Sequence, residues 1–232
     1  MTFLSYSVII LGYLAILVFI LGVAYRAWNW AHLPTGFSWG LFPKPTRWTV
    51  TSLIWKAFAW PTLLKADKWL WIGALCFHLG MLVLLLGHLG IFINMASFGE
   101  SIGIPTEASY TIGVVAGSVA GIVILFYLSR RLLVTKAKEI SSFADHFWLW
   151  ALLVVVGVGI YARVFHEVNS DAVREFAISV LTLRPILPPE NGWFLVHTLL
   201  SECFIIYAVM GKPIHALGQL FTQYILVSKE EL

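Results

Sequence analysis

Residues 69–95, WLWIGALCFHLGMLVLLLGHLGIFINM, form an apolar run that carries two histidines, His78 and His88, in its interior. A transmembrane helix needs about 20 apolar residues to span roughly 30 Å of hydrocarbon. An imidazole placed inside such a span is costly, which makes it a functional residue by default. The ten-residue separation of the two histidines is about 15 Å along a helix axis at about 1.5 Å per residue. They therefore belong to two sites at two depths and cannot serve as two ligands of one ion.

Four further apolar segments, at about 4–25, 109–129, 146–164 and 193–211, join this one at about 69–94. Only 12% of the residues are charged, against about a quarter in a soluble domain. The expected fold is an all-α integral membrane protein, a five-transmembrane-helix bundle forming one membrane domain over 1–232. Between the first two segments, residues 49–64 carry Trp55, Trp60 and Lys56 in a pattern that suits a helix lying in the interface; a plain connecting segment with Trp anchors fits equally. The part from Asp171 to Leu183 reads as a short surface helix. A net charge of +3 argues for no nucleic-acid partner. Cys76 and Cys203 form no CxxC pair, which speaks against a thiol–disulfide carrier or a cysteine-ligated cluster. The first apolar run has no basic region before it and reads as a retained helix, not as a cleaved leader.

Loop charge gives an orientation. Arg26, Lys44, Arg47, Lys56, Lys65 and Lys68 precede the second segment, and Arg130, Arg131, Lys136 and Lys138 follow the third. The loop between the second and third segments holds no lysine or arginine and carries Glu100 and Glu107. The positive-inside rule then puts the N-terminus outside and the C-terminus in the cytoplasm.

The fifth segment carries His197 near its outer end and His215 near its inner end, 18 residues apart. Eighteen residues make about five turns at 3.6 residues each, so an unbroken helix would project both from one face; Pro213 is the residue that would kink it. Topology pairs His78 with His215 at the inner level and His88 with His197 at the outer level. Two imidazoles facing one another across a helix bundle suit a haem iron with two axial histidines. Interhelical hydrogen bonding is the plainer alternative, and it does not call for four histidines matched by depth. Zinc needs three or four converging ligands, which this spacing does not supply. Gly73, Gly80 and Gly87 draw a smooth stripe that suits either a flat macrocycle or close helix packing. Glu202, five residues beyond His197, reads equally as a proton relay and as a packing residue. His32, His146 and His166 read as interfacial polar residues. From depth alone Arg47, Arg130, Arg131 and Lys212 are candidate partners for inner haem propionates, and Arg163 for outer ones.

The motif FHLGMLVLLLGHLG at 77–90, with His197 and His215, resembles the gamma subunit of respiratory nitrate reductase. It is similar also to the membrane cytochromes b of heterodisulfide reductases and of the sulfite-reduction-linked Dsr complex. The resemblance implies five membrane helices holding two haem b groups, with His78, His88, His197 and His215 as iron ligands. It implies an outer haem bordering a site for a menaquinone-type quinol, where Gly87 and His88 match the family's glycine–histidine pair. It implies an inner haem facing a cytoplasmic iron–sulfur subunit, all within a prokaryotic cell membrane and its lipid. The nitrate enzyme's gamma subunit has a lysine in the loop after its second helix, which is missing here, and the tail 216–232 has no clear match to it. Both departures tilt the expectation toward the Dsr or heterodisulfide branch. The expected role is a quinol-oxidising or quinone-reducing oxidoreductase subunit, with the terminal catalytic residues on another chain. The gamma subunit proper and a haem-free scaffold or transporter are the alternatives. A hydrogenase or formate dehydrogenase cytochrome b would have four spans and other histidine spacings.

Overall fold

The computed structural model describes residues 2–32, 59–93, 95–215 and 218, and among these every regular element is helical. The helices are α1 (Thr2–Ala31), α2 (Pro61–Ala66), α3 (Lys68–His88), α4 (Met95–Ser101), α5 (Thr106–Leu133), α6 (Thr135–Glu139), α7 (Phe143–Phe165), α8 (Ser170–Leu181) and α9 (Gly192–Ala208). Short 3-10 turns follow α3 at Leu89–Ile91 and α9 at Lys212–Ile214. Two compact units result, one of Met1–Ala15 with Ile72–Ile205 and one of Ile16–Trp71 with Ile206–Leu232.

Four helices, α1, α3 with its 3-10 turn, α5 and α7, are long and apolar enough to cross a membrane. Leucine, isoleucine and phenylalanine lie exposed along them, as with Phe3 at 84% and Ile122 at 66%, the pattern of a helix that is apolar all round. The fifth expected segment, 193–211, is shorter as a helix. α9 is apolar but ends at Ala208 after 17 residues, where Met210 and Gly211 turn back on the carbonyls of Tyr207 and Ala208. Gly211 is extended and Pro213 opens the following 3-10 turn. Proline lacks the N–H that an α-helix needs, so the helix does not run on to His215. Of the two courses open to this segment, one unbroken face or a break near Pro213, the chain takes the break.

Within the first unit α5 packs along α7, and its small residues explain why. Ala116 and Ala120 are buried; a Cβ at Gly117 would stand 2.9 Å from Ile160 on α7, and one at Gly80 would stand 3.0 Å from the Ala116 carbonyl. Small residues let backbones approach where no hydrophobic drive separates helix from lipid. The turn from α5 to α7 is tied by a capping box, with Ser142 Oγ accepting from the Asp145 N–H and Asp145 accepting from the Ser142 N–H. Arg131 donates to Ser141 Oγ at 2.7 Å and lies 3.9 Å from Asp145.

The expected surface helix is α8. Asn169 caps it by accepting from the N–H groups of Asp171 and Ala172. Its apolar residues Phe176 and Val180 close a core with Val8 of α1 and Leu195 of α9. Arg174 donates to the Gly90 carbonyl at 3.3 Å, tying α8 to the turn just beyond His88.

In the second unit, the expected interfacial helix at 49–64 falls largely outside the described residues. In its described end Ala59 is helical, Trp60 takes a left-handed conformation at φ 40°, and α2 starts at Pro61. Trp71 Nε1 donates to the Ala59 carbonyl at 2.6 Å.

Candidate functional site: a facing histidine pair

His88 on α3 and His197 on α9 face one another with ring centroids 6.2 Å apart and planes inclined by 32°. A metal–imidazole nitrogen bond is about 2.0–2.1 Å, and a ring nitrogen lies about 1.1 Å from its centroid, so two imidazoles on opposite sides of one ion have centroids about 6.3 Å apart. The spacing is that of an ordinary ring–ring contact and also leaves room for an ion between the rings. Among the described residues no three His, Cys, Asp or Glu side chains converge. The donor set is thus two imidazoles, short of the three or four that a zinc site takes from protein and fitting a macrocycle that supplies the remaining donors.

The Nδ1–H of His88 donates to the Leu84 carbonyl at 2.6 Å, one turn back on its own helix, which leaves the Nε2 lone pair free. Ligand histidines characteristically donate their other N–H in this way. His78 does the same with Ala74 at 2.7 Å and His215 with Lys212 at 2.9 Å. His32 and His146 bond Trp28 and Ser142 likewise, so the local bond does not mark a ligand by itself. His88 differs from these in having a second imidazole 6.2 Å away.

His197 is held differently. Its Nδ1 is buried with no hydrogen bond, although the Val155 carbonyl of α7 lies beside the ring. One turn beyond Val155, a Cβ added at Gly159 would stand 2.8 Å from His197 Cε1 and 3.2 Å from Nδ1. Gly159 therefore makes the notch that seats this imidazole. Nothing in the sequence pattern singled it out; the only signal was the Gly157–Val158–Gly159 repeat inside an apolar helix.

The other expected residues sort as follows. His78 lies in the first unit and His215 in the second. Gly87 has nothing within 4 Å of a Cβ, whereas Gly73 meets Phe126 and Tyr127 and Gly80 meets α5. The stripe is therefore helix packing at Gly73 and Gly80 and open space only beside His88. Glu202 is buried, its Oε2 without a hydrogen bond, and its Oε1 would stand 3.0 Å from a Cβ at Gly12 of α1. Its Oε1 looks toward α1. Arg131 is engaged in the α5–α7 turn, Arg163 stacks over Tyr110 at 5.0 Å, and Arg47 lies outside the described residues. His166 stacks on Trp193, with ring centroids 5.7 Å apart, beside Tyr161.

The chain is similar to proteins of known name over most of its length. It is 27% identical to the Hdr-like menaquinol oxidoreductase cytochrome b-like subunit of Archaeoglobus fulgidus, over 92% of this chain and 77% of that protein. The same subunit of Archaeoglobus profundus is 24% identical over 91% and 76%. The nitrate reductase-like protein NarX of Mycobacterium tuberculosis is 28% identical over 75% of this chain, which covers 30% of NarX. With residues 37–226 matching the model of the nitrate reductase gamma subunit, and with four helices able to cross a bilayer, the chain belongs to that family and is a multi-pass membrane protein.

Proposed function

We propose that the chain is the diheme cytochrome b subunit of a respiratory complex, moving electrons between a menaquinone-type pool and a cytoplasmic iron–sulfur subunit. The observation that carries this reading is the 6.2 Å separation of the facing His88 and His197 rings. The two archaeal relatives bear the name of menaquinol oxidoreductase subunits and match over nearly the whole chain, which favours an Hdr-like complex over a nitrate reductase.

In this reading α9 is a fifth span, the N-terminus is outside and the C-terminus is cytoplasmic. His88 and His197 hold one haem b at the outer level, and His78 with His215 holds another at the inner level. Haem supplies reversible one-electron transfer when bound. The protein's part would be to hold each haem through a pair of imidazoles, with the Nδ1–H of His78, His88 and His215 given to a local carbonyl; ligand type, hydrogen bonding and burial would set the potential. The open edge beside Gly87 and His88 receives the quinol from the outer leaflet. Electrons that travel inward across the bilayer each carry about 2.3 kcal/mol per 100 mV of membrane potential, so outward release of the quinol protons conserves energy.

A dithionite-minus-oxidised spectrum with pyridine haemochrome quantification on the purified full chain tests this. Two b haems per chain are expected, falling to one in His88→Ala and to one in His215→Ala. A folded preparation without haem would replace the reading by a scaffold or transporter.

A further inference from the structure

Helix α1 carries no histidine of the proposed set, yet its inner half grips the segment that carries one. Gly22, Arg26 and Trp30 recur at four-residue intervals and so fall on one face of the helix. Each meets the chain just beyond α9. A Cβ at Gly22 would collide with Val209 Cγ1, and Val209 is itself buried. Arg26 Nη2 donates to the Met210 carbonyl at 2.8 Å. The Trp30 ring lies 3.4 Å from a Cβ placed at Gly218. His215 sits between the second and third of these contacts.

The position of the Arg26 bond explains its purpose. A helix leaves its last carbonyls without partners, and the turn that follows must find donors elsewhere. α9 stops at Ala208, Gly211 is extended, and the 3-10 turn of Lys212–Ile214 then delivers His215. The path between Ala208 and His215 has no α-helical ladder to fix it. The carbonyl that Arg26 bonds is that of Met210, two residues past the end of α9, so the guanidinium ties down the turn and lies near the negative end of the helix dipole. The Val209 contact sets how closely α1 approaches, and the arginine fixes where the broken helix turns.

We propose that Gly22, Arg26 and Trp30 form a positioning clamp for His215, with Arg26 the residue that sets the orientation of that imidazole. This rests on the reading of His215 as the inner iron ligand. It predicts that the clamp tunes one haem and leaves the other alone.

The test uses the full chain purified with its haems, followed by redox titration and low-temperature electron paramagnetic resonance. His215→Ala and His88→Ala first assign the inner and outer signals by their loss. Arg26→Ala and Gly22→Leu are then expected to shift the midpoint potential and the g-value of the inner signal, or to remove it, with the outer signal unmoved. Arg26→Lys, which keeps a cationic donor, is expected to restore most of the inner signal. An unchanged inner signal in both Arg26→Ala and Gly22→Leu overturns the clamp while leaving the function standing. Equal loss of both signals in these variants reduces the contact to general packing and also overturns it. Retention of both haems in His215→Ala would instead remove the ligand assignment itself, and the clamp with it.

Discussion

The seat of His197 is a gap of one side chain. Gly159 leaves room for the ring against α7, and filling that room costs about 1–3 kcal/mol of overpacking in a close-packed interior. Gly159→Leu is expected to push the imidazole out of line with His88 and to cost the chain its outer haem, read as a fall from two haems to one by pyridine haemochrome. Gly159→Ala is expected to keep both and to shift only the outer potential. Retention of an unshifted outer signal in Gly159→Leu would mean that the ring is not seated there. The histidines themselves were legible from sequence, because a polar ring inside an apolar run stands out without any knowledge of the fold. Gly159 was not, because its role depends on which helix passes it, and 38 residues separate it from His197. Arg26 was legible only as a loop charge, since its partner is a backbone carbonyl that no sequence pattern marks.

Among elements, the long apolar helices were the most readable, since length and composition alone set them. The interruption after α9 was less so. Pro213 announced a break, but the helix ends five residues earlier, where the glycine and the turn at Met210 take over. α8 was visible as a surface helix, and what the structure adds is its attachment. The long Arg174–Gly90 bond holds α8 against the turn that follows α3, two residues beyond His88, and a hydrogen bond from a charged group contributes about 1.5–3 kcal/mol at best. Arg174→Ala is expected to lower stability by about 1 kcal/mol and to speed amide exchange in residues 89–93. Unaltered exchange there would show that the core around Phe176 and Val180 holds α8 unaided.

For the molecule as a whole, the charge asymmetry of the loops carries the orientation. A reporter fused to the C-terminus is expected to be active on the cytoplasmic side, and one at the N-terminus on the opposite side. Termini on the same side would mean that α9, at 17 residues, dips into the membrane without crossing it. That outcome would also undo the pairing of histidines by depth, since the depth of His197 and His215 follows from α9 crossing.

Helix α1 runs unbroken for 30 residues, about 45 Å at 1.5 Å per residue, against a hydrocarbon core of roughly 30 Å. Tyr25 and Trp28 are exposed near its C-terminal end, in the kind of position where aromatic side chains settle at the lipid headgroups. A helix with this much excess length meets a thinner or thicker bilayer by tilting. Because the same helix grips the turn that bears His215, acyl-chain length would, under the proposed function, become an input to the chemistry: the membrane would itself adjust the inner electron carrier.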